Sequence, residues 1–173
     1  MFNLTVIAYL RNLATLRAIL EKAHAWQTEK KISDETIMNA RLAIDQFPFA
    51  FQVRSVTTAA KNGAGVLCGV EYPVFEDTEK TIPELITRID TTVTFLKTLA
   101  PEMVKSASDL DAKVVPMAWM PGKGISGKFY TEVYTISNFY FHYVTAYSIL
   151  RHYGLDLGKG DYMGNVEFKD VVA

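Results

Sequence analysis

The chain has 173 residues with 18 Lys plus Arg against 19 Asp plus Glu, a formal net charge of −1, and no cluster of four or more basic residues. This balance excludes a nucleic-acid groove or an anionic membrane surface as the main partner. The length suits a single domain over residues 1–173, able to bury roughly 70% of its unfolded surface without disulfide staples.

In "LTVIAYLRNLATLRAILEKAHAWQTEK" the apolar residues Leu4, Ile7, Leu10, Leu13, Leu16, Leu20, Ala23 and Trp26 recur at steps of three and four. That spacing predicts a first helix from Leu4 to Glu29. No basic residue precedes the apolar run and Arg11 interrupts it, so it reads as a helix and not a signal peptide. Ser33, followed by Asp34 and Glu35, has the form of an N-cap with acidic residues in the first turn. A second helix is predicted from there to Leu67, kinked or split by Pro48 close to Gln46.

"GVEYPVFEDTEKT" is expected to cross the molecule as a loop. It ends in Thr81-Ile-Pro-Glu84, a capping box with proline in the first turn, so a third helix should run from Ile82 to Leu99. "KVVPMAWMPGKGISGKF" carries β-branched and aromatic residues around a Pro121-Gly122-Lys123-Gly124 turn and predicts a short hairpin. A last helix follows from Gly127 to Tyr153, capped by Gly154. The tail is glycine-rich, and its final residues are expected to be poorly ordered. Four long amphipathic helices, a long crossover loop and a small β-hairpin excursion before the last helix make an all-α, four-helix-bundle fold.

No apolar stretch approaches the ~20 residues of a membrane span, so no membrane is expected to be involved. The single Cys68, in "GVLCGV", has no partner for an intrachain bridge and reads as a buried, inert thiol. Both observations fit a cytoplasmic protein.

The candidate site lies on the last helix. At about 100° per residue, Thr131, Thr135, Asn138 and Thr145 fall within roughly 60° of His142, with Phe139, Ala146 and Ile149 in the same sector. A solvated stripe would carry Lys, Glu or Arg. Hydroxyls, an amide and an imidazole instead predict a partly buried polar cleft with an apolar floor, or small polar groups satisfying one another inside a bundle.

His152, ten residues on, lies about 15 Å further along the axis and cannot join His142 in one site. His24 reads as a residue near the C-terminal end of its helix, where positive charge is favoured. On the second helix Asp45, Gln52, Ala59 and Gly63 fall within about 40° of one another. This face suits packing against another helix with a polar pocket at one end. Asp45 either orients and activates His142 or sits exposed on a solvated surface.

Three stretches, "RLAIDQFPFAFQV", "VEYPVFEDTEKTIPELITRI" and "NFYFHYVTAYSILRHYGLDLGKGDY", resemble a bacterial family of unknown function within the DinB/YfiT-like superfamily. The resemblance runs from Leu10 to Tyr162. It implies a four-helix bundle and, as in many members, a divalent metal held by three histidines, one from the second helix and a pair four apart on the last. Related members include metal-dependent thiol-linked transferases and isomerases.

Of those ligands only His142 has a match, with Asn138 four before and Ala146 four after, while the second helix offers Asp45 or Gln52. The departure implies that the triad is lost or replaced. No metal ligand is assigned with His142 as the sole candidate, and no cofactor follows. The leading expectation is a cleft of Asp45, Gln52, Asn138, His142 and Thr145 that takes a small molecule. The alternative is a metal-dependent transferase or hydrolase whose divalent ion is held by His142, Asn138, Asp45 and water. A third expectation is a non-catalytic homodimer, because Phe139, Tyr140, Phe141, Tyr143 and Tyr147 cannot all face one core.

Overall fold

The computed structural model describes residues 1–169. The expectation for the end of the tail therefore lies in part, at 170–173, outside the described residues. After a short turn at Phe2–Leu4, α1 spans Val6–Lys30 and α2 is a single turn and a half, Asp34–Met38. The central helix α3 spans Phe49–Cys68 and α4 spans Ile82–Leu96. A short α5 (Ala107–Ala112) leads into the hairpin of β1 (Val114–Pro116) and β2 (Gly124–Ser126), antiparallel with Val115 opposite Ile125. The last helix begins as α6 (Gly127–Phe129), passes through a π-helical turn at Tyr130–Tyr134 and continues as α7 (Thr135–His152). A short α8 covers Lys159–Met163.

Local signals set most boundaries. Ser33 Oγ accepts the backbone N–H of Thr36, and Thr81 and Glu84 form the reciprocal capping box. Gly154 adopts φ +103°, and the N–H of Leu155 reaches back to the Leu150 carbonyl to close α7. The hairpin turn carries Gly122 at φ +75°.

Three expectations change. The buried stripe of α1 is Val6, Tyr9, Leu13, Leu16, Ile19, Leu20, Ala23 and Gln27, so Leu4 and Ile7 stay exposed. Tyr9 takes the inner position because its hydroxyl reaches Thr135 on the last helix. The predicted second helix is split at Pro48 and not kinked, and its first half stops early, at Met38: residues 39–48 form a loop, with Pro48 as the N-cap of α3. The loop is held by its own bonds, from the N–H of Phe49 to the Ala40 carbonyl and from Arg41 to the Gln46 carbonyl. The tail gains α8, which Arg11 ties to α1 through the carbonyls of Met163 and Asn165.

α3 packs against α7 on one side and α4 on the other, and α1 lies along α4. Fifteen of its twenty residues are buried. A Cβ on Gly63 would lie 2.6 Å from Thr135 Oγ1, so glycine sets how closely α3 and the last helix meet. Cys68 is buried, and burial pushes its thiol pKa up.

The crossover loop is clamped by charge. Glu79 accepts from Arg54 Nε at 2.8 Å and from Arg88 Nη1 at 2.9 Å, and Arg88 also pairs with Asp77 at 2.6 Å. Arg88 is 3% exposed, donates to Thr57 and Thr58, and stacks over Phe75 with its guanidinium carbon 4.2 Å from the ring centroid. Lys61, also buried, holds its amine over Tyr72 and Phe75 and donates to Asn62. Burial, aided by the charge of Arg88, lowers the Lys61 pKa to about 8.

These two cations predict opposite mutational outcomes. Glu79→Ala leaves Arg88 short of its buried partner and should cost about 3 kcal/mol in urea unfolding. Lys61→Met should be neutral or stabilising. Because the unfolded chain holds the Lys61 proton more tightly, wild-type stability should rise between pH 8 and the ordinary 10.5. Loss of that rise in the Met variant is the check, and an unchanged pH profile would refute it.

Candidate functional site

The polar stripe of the last helix is largely used within the core. Thr131 Oγ1 donates to the Gly127 carbonyl at 2.9 Å, and Thr145 Oγ1 to the Phe141 carbonyl at 2.7 Å. Thr135 accepts from the Tyr9 hydroxyl at 3.3 Å. All three threonines are buried. Their hydroxyls thus satisfy backbone or core groups and do not line an open cleft.

One pair in the stripe differs. His142, half-buried on α7, meets Gln52 of α3 with its Nδ1 2.7 Å from Gln52 Oε1. Gln52 is 1% exposed, and its Nε2 donates to the Phe47 carbonyl at 2.7 Å, which fixes the amide's orientation. Burial lowers the His142 pKa to about 4, so the ring is neutral at physiological pH.

Two phenylalanines lie against the imidazole and a third stacks behind one of them. Phe51 and Phe141 present edges to the imidazole, at centroid distances of 5.9 and 5.1 Å, and Phe47 stacks on Phe51 at 4.1 Å. Phe47 and Phe141 are 61% and 60% exposed. The sequence reading missed this rim, although "FPFAFQ" spaces Phe47 and Phe51 by four residues, just ahead of Gln52.

The other expected residues are placed differently. Asp45 sits in an exposed turn of the 39–48 loop, off any helix, and makes no hydrogen bond or ion pair among the described residues. The helical register that set it beside Gln52 therefore does not exist. Asn138 lines a neighbouring groove of about 450 Å³ with Phe129, Val133, Tyr134, Ser137 and Phe141.

The residues present do not fit a three-ligand divalent site. Nδ1 of His142 is engaged by Gln52, whose amide is itself engaged by Phe47. Positions four before and after His142 are Asn138 and Ala146. Among the described residues no three His, Cys, Asp or Glu side chains converge. No described helix is long and apolar enough to cross a membrane.

Comparison with known proteins agrees with this architecture. No curated protein matches the sequence. A crystal structure of a DinB family member protein from Shewanella denitrificans superposes with a TM-score of 0.86 at 34% identity, covering 98% of this chain and 95% of that one. Residues 1–163 match the domain of unknown function DUF1993. The chain belongs to the DUF1993 family, a DinB-like four-helix bundle.

Proposed function

We propose that this bundle binds a small organic molecule at the Gln52–His142 pair, in the place where its relatives are expected to hold a metal. The observation that carries the reading is the hydrogen bond between the two helices from which the metal ligands would come. A glutamine that is itself fixed by a backbone carbonyl orients a neutral imidazole, and Phe51 and Phe141, with Phe47 stacked behind Phe51, form an apolar rim beside it. Few precisely held polar groups within an apolar surround are the usual make-up of a small-molecule site. The buried thiol and near-zero net charge suit action in the cytoplasm.

The metal-dependent alternative needs Asp45 and Asn138 to join His142, and Asp45 lies in an exposed turn. Elemental analysis of untagged protein after incubation with Zn, Ni or Mn and desalting separates the two readings. Less than a tenth of an equivalent is expected to remain. One equivalent that disappears in His142→Ala would overturn the organic-ligand reading in favour of the metal.

The depressed His142 pKa adds a pH dependence. The unfolded chain takes up this proton more readily, so stability should fall as pH drops from the ordinary 6.5 toward 4. Urea midpoints across that window should fall less in His142→Phe than in wild type; parallel curves would count against it.

A second reading, homodimerisation, is favoured by the outer face of the last helix. Phe129, Val133, Phe141 and Val144 are all exposed, and Ser137 falls between them with no charged residue in the row. Such an apolar row, when contiguous, marks an association surface, and a second copy offers its equal. Light scattering should give twice the chain mass, falling to the monomer in Phe141→Lys. A wild-type monomer at every concentration would remove this reading.

A further inference from the structure

The amide of Gln52 has only one orientation that satisfies it. Its NH₂ faces the Phe47 carbonyl at 2.7 Å, so its carbonyl oxygen faces His142 Nδ1, also at 2.7 Å. The flipped amide would set two oxygens against each other at Phe47. A carbonyl oxygen cannot donate, so Nδ1 carries the ring proton. The neutral ring then leaves Nε2 as a bare acceptor.

Nε2 makes no hydrogen bond among the described residues. The only buried side-chain nitrogen or oxygen without a partner there is Gln27 Oε1, so Nε2 must reach the surface. Among the described residues the only rings against the imidazole are those of Phe51 and Phe141, with Phe47 beyond, and no charged side chain bonds to Gln52 or His142. A single acceptor in an apolar rim selects the chemistry of its ligand. An anion would meet a lone pair where it needs a donor, and an ammonium would lose its hydration with no carboxylate bonded to the pair.

From this geometry we infer that His142 Nε2 accepts a hydrogen bond from an uncharged, planar apolar ligand bearing one O–H or N–H, such as a phenol or an indole. The inference rests on the small-molecule reading above and specifies the ligand it takes. Gln52 acts as a positioning residue, holding the tautomer that makes Nε2 an acceptor.

Phenol and toluene, which differ in the hydroxyl, test it. Each is titrated into the full chain labelled with ¹⁵N-histidine at pH 7. The free protein should show the Nδ1–H tautomer, and phenol should shift the Nε2 resonance. Phenol should bind about fivefold more tightly than toluene, the effect of one net hydrogen bond. His142→Phe should abolish that difference while leaving toluene binding in place. Gln52→Leu should release the tautomer and reduce the difference.

An Nε2–H tautomer in the wild-type protein would overturn the inference directly, without any variant. Equal binding of the two probes with Nε2 unmoved would overturn it while leaving the small-molecule site standing. Failure of both to bind would overturn the small-molecule reading as well.

Discussion

The contact between α3 and the last helix governs the rest of the molecule. Glycine at position 63 lets the backbone of α3 come up against the side chain of Thr135, and Thr135 in turn receives the hydroxyl of Tyr9 from α1. Three helices meet at this point. Helices packed through ordinary side chains sit about 8–10 Å apart, and a close approach at one end brings short side chains within reach along the same seam. Gln52 can thus span to His142 at 2.7 Å, a bond that a bulkier residue at 63 would strain by pushing the helices apart.

The parts of this arrangement legible in the sequence were the locally encoded ones. The capping box at Thr81, the cap at Ser33, the Pro121–Gly124 turn and the stop at Gly154 each depend on a few adjacent residues, and each was found where the spacing put it. The α3 face of Gln52, Ala59 and Gly63 was also readable, since a regular helix preserves its register. Asp45 was not, because Pro48 can either kink a helix or cap one. The choice fell to bonds such as that from Arg41 to the Gln46 carbonyl, which leave no periodic trace.

The clamp on the crossover loop was illegible for a different reason. Arg54, Glu79 and Arg88 are scattered over 35 positions, and each alone reads as a surface charge. Only the folded loop brings Glu79 between the two guanidinium groups and closes Phe75 over one of them. The threonines of the last helix misled in the opposite direction. In sequence they suggested a cleft, but a threonine hydroxyl inside a helix can satisfy itself on the carbonyl four residues back, as Thr131 and Thr145 do.

The two buried polar centres differ in how completely they are satisfied, and this difference separates scaffold from site. Around Arg88, donors meet two carboxylates, two threonine hydroxyls and a backbone carbonyl. At His142 the network instead ends with an acceptor turned outward, flanked by phenylalanine rings that the core could have covered. Leaving Phe47 and Phe141 in water forgoes about 25 cal/mol for each Å² of apolar surface left unburied. Pairing of two copies through the row on the last helix would cover Phe141, but Phe47 belongs to the loop before α3 and lies outside that row. A dimer formed through that row would therefore leave the exposure of Phe47, stacked on Phe51 beside the imidazole, without an explanation.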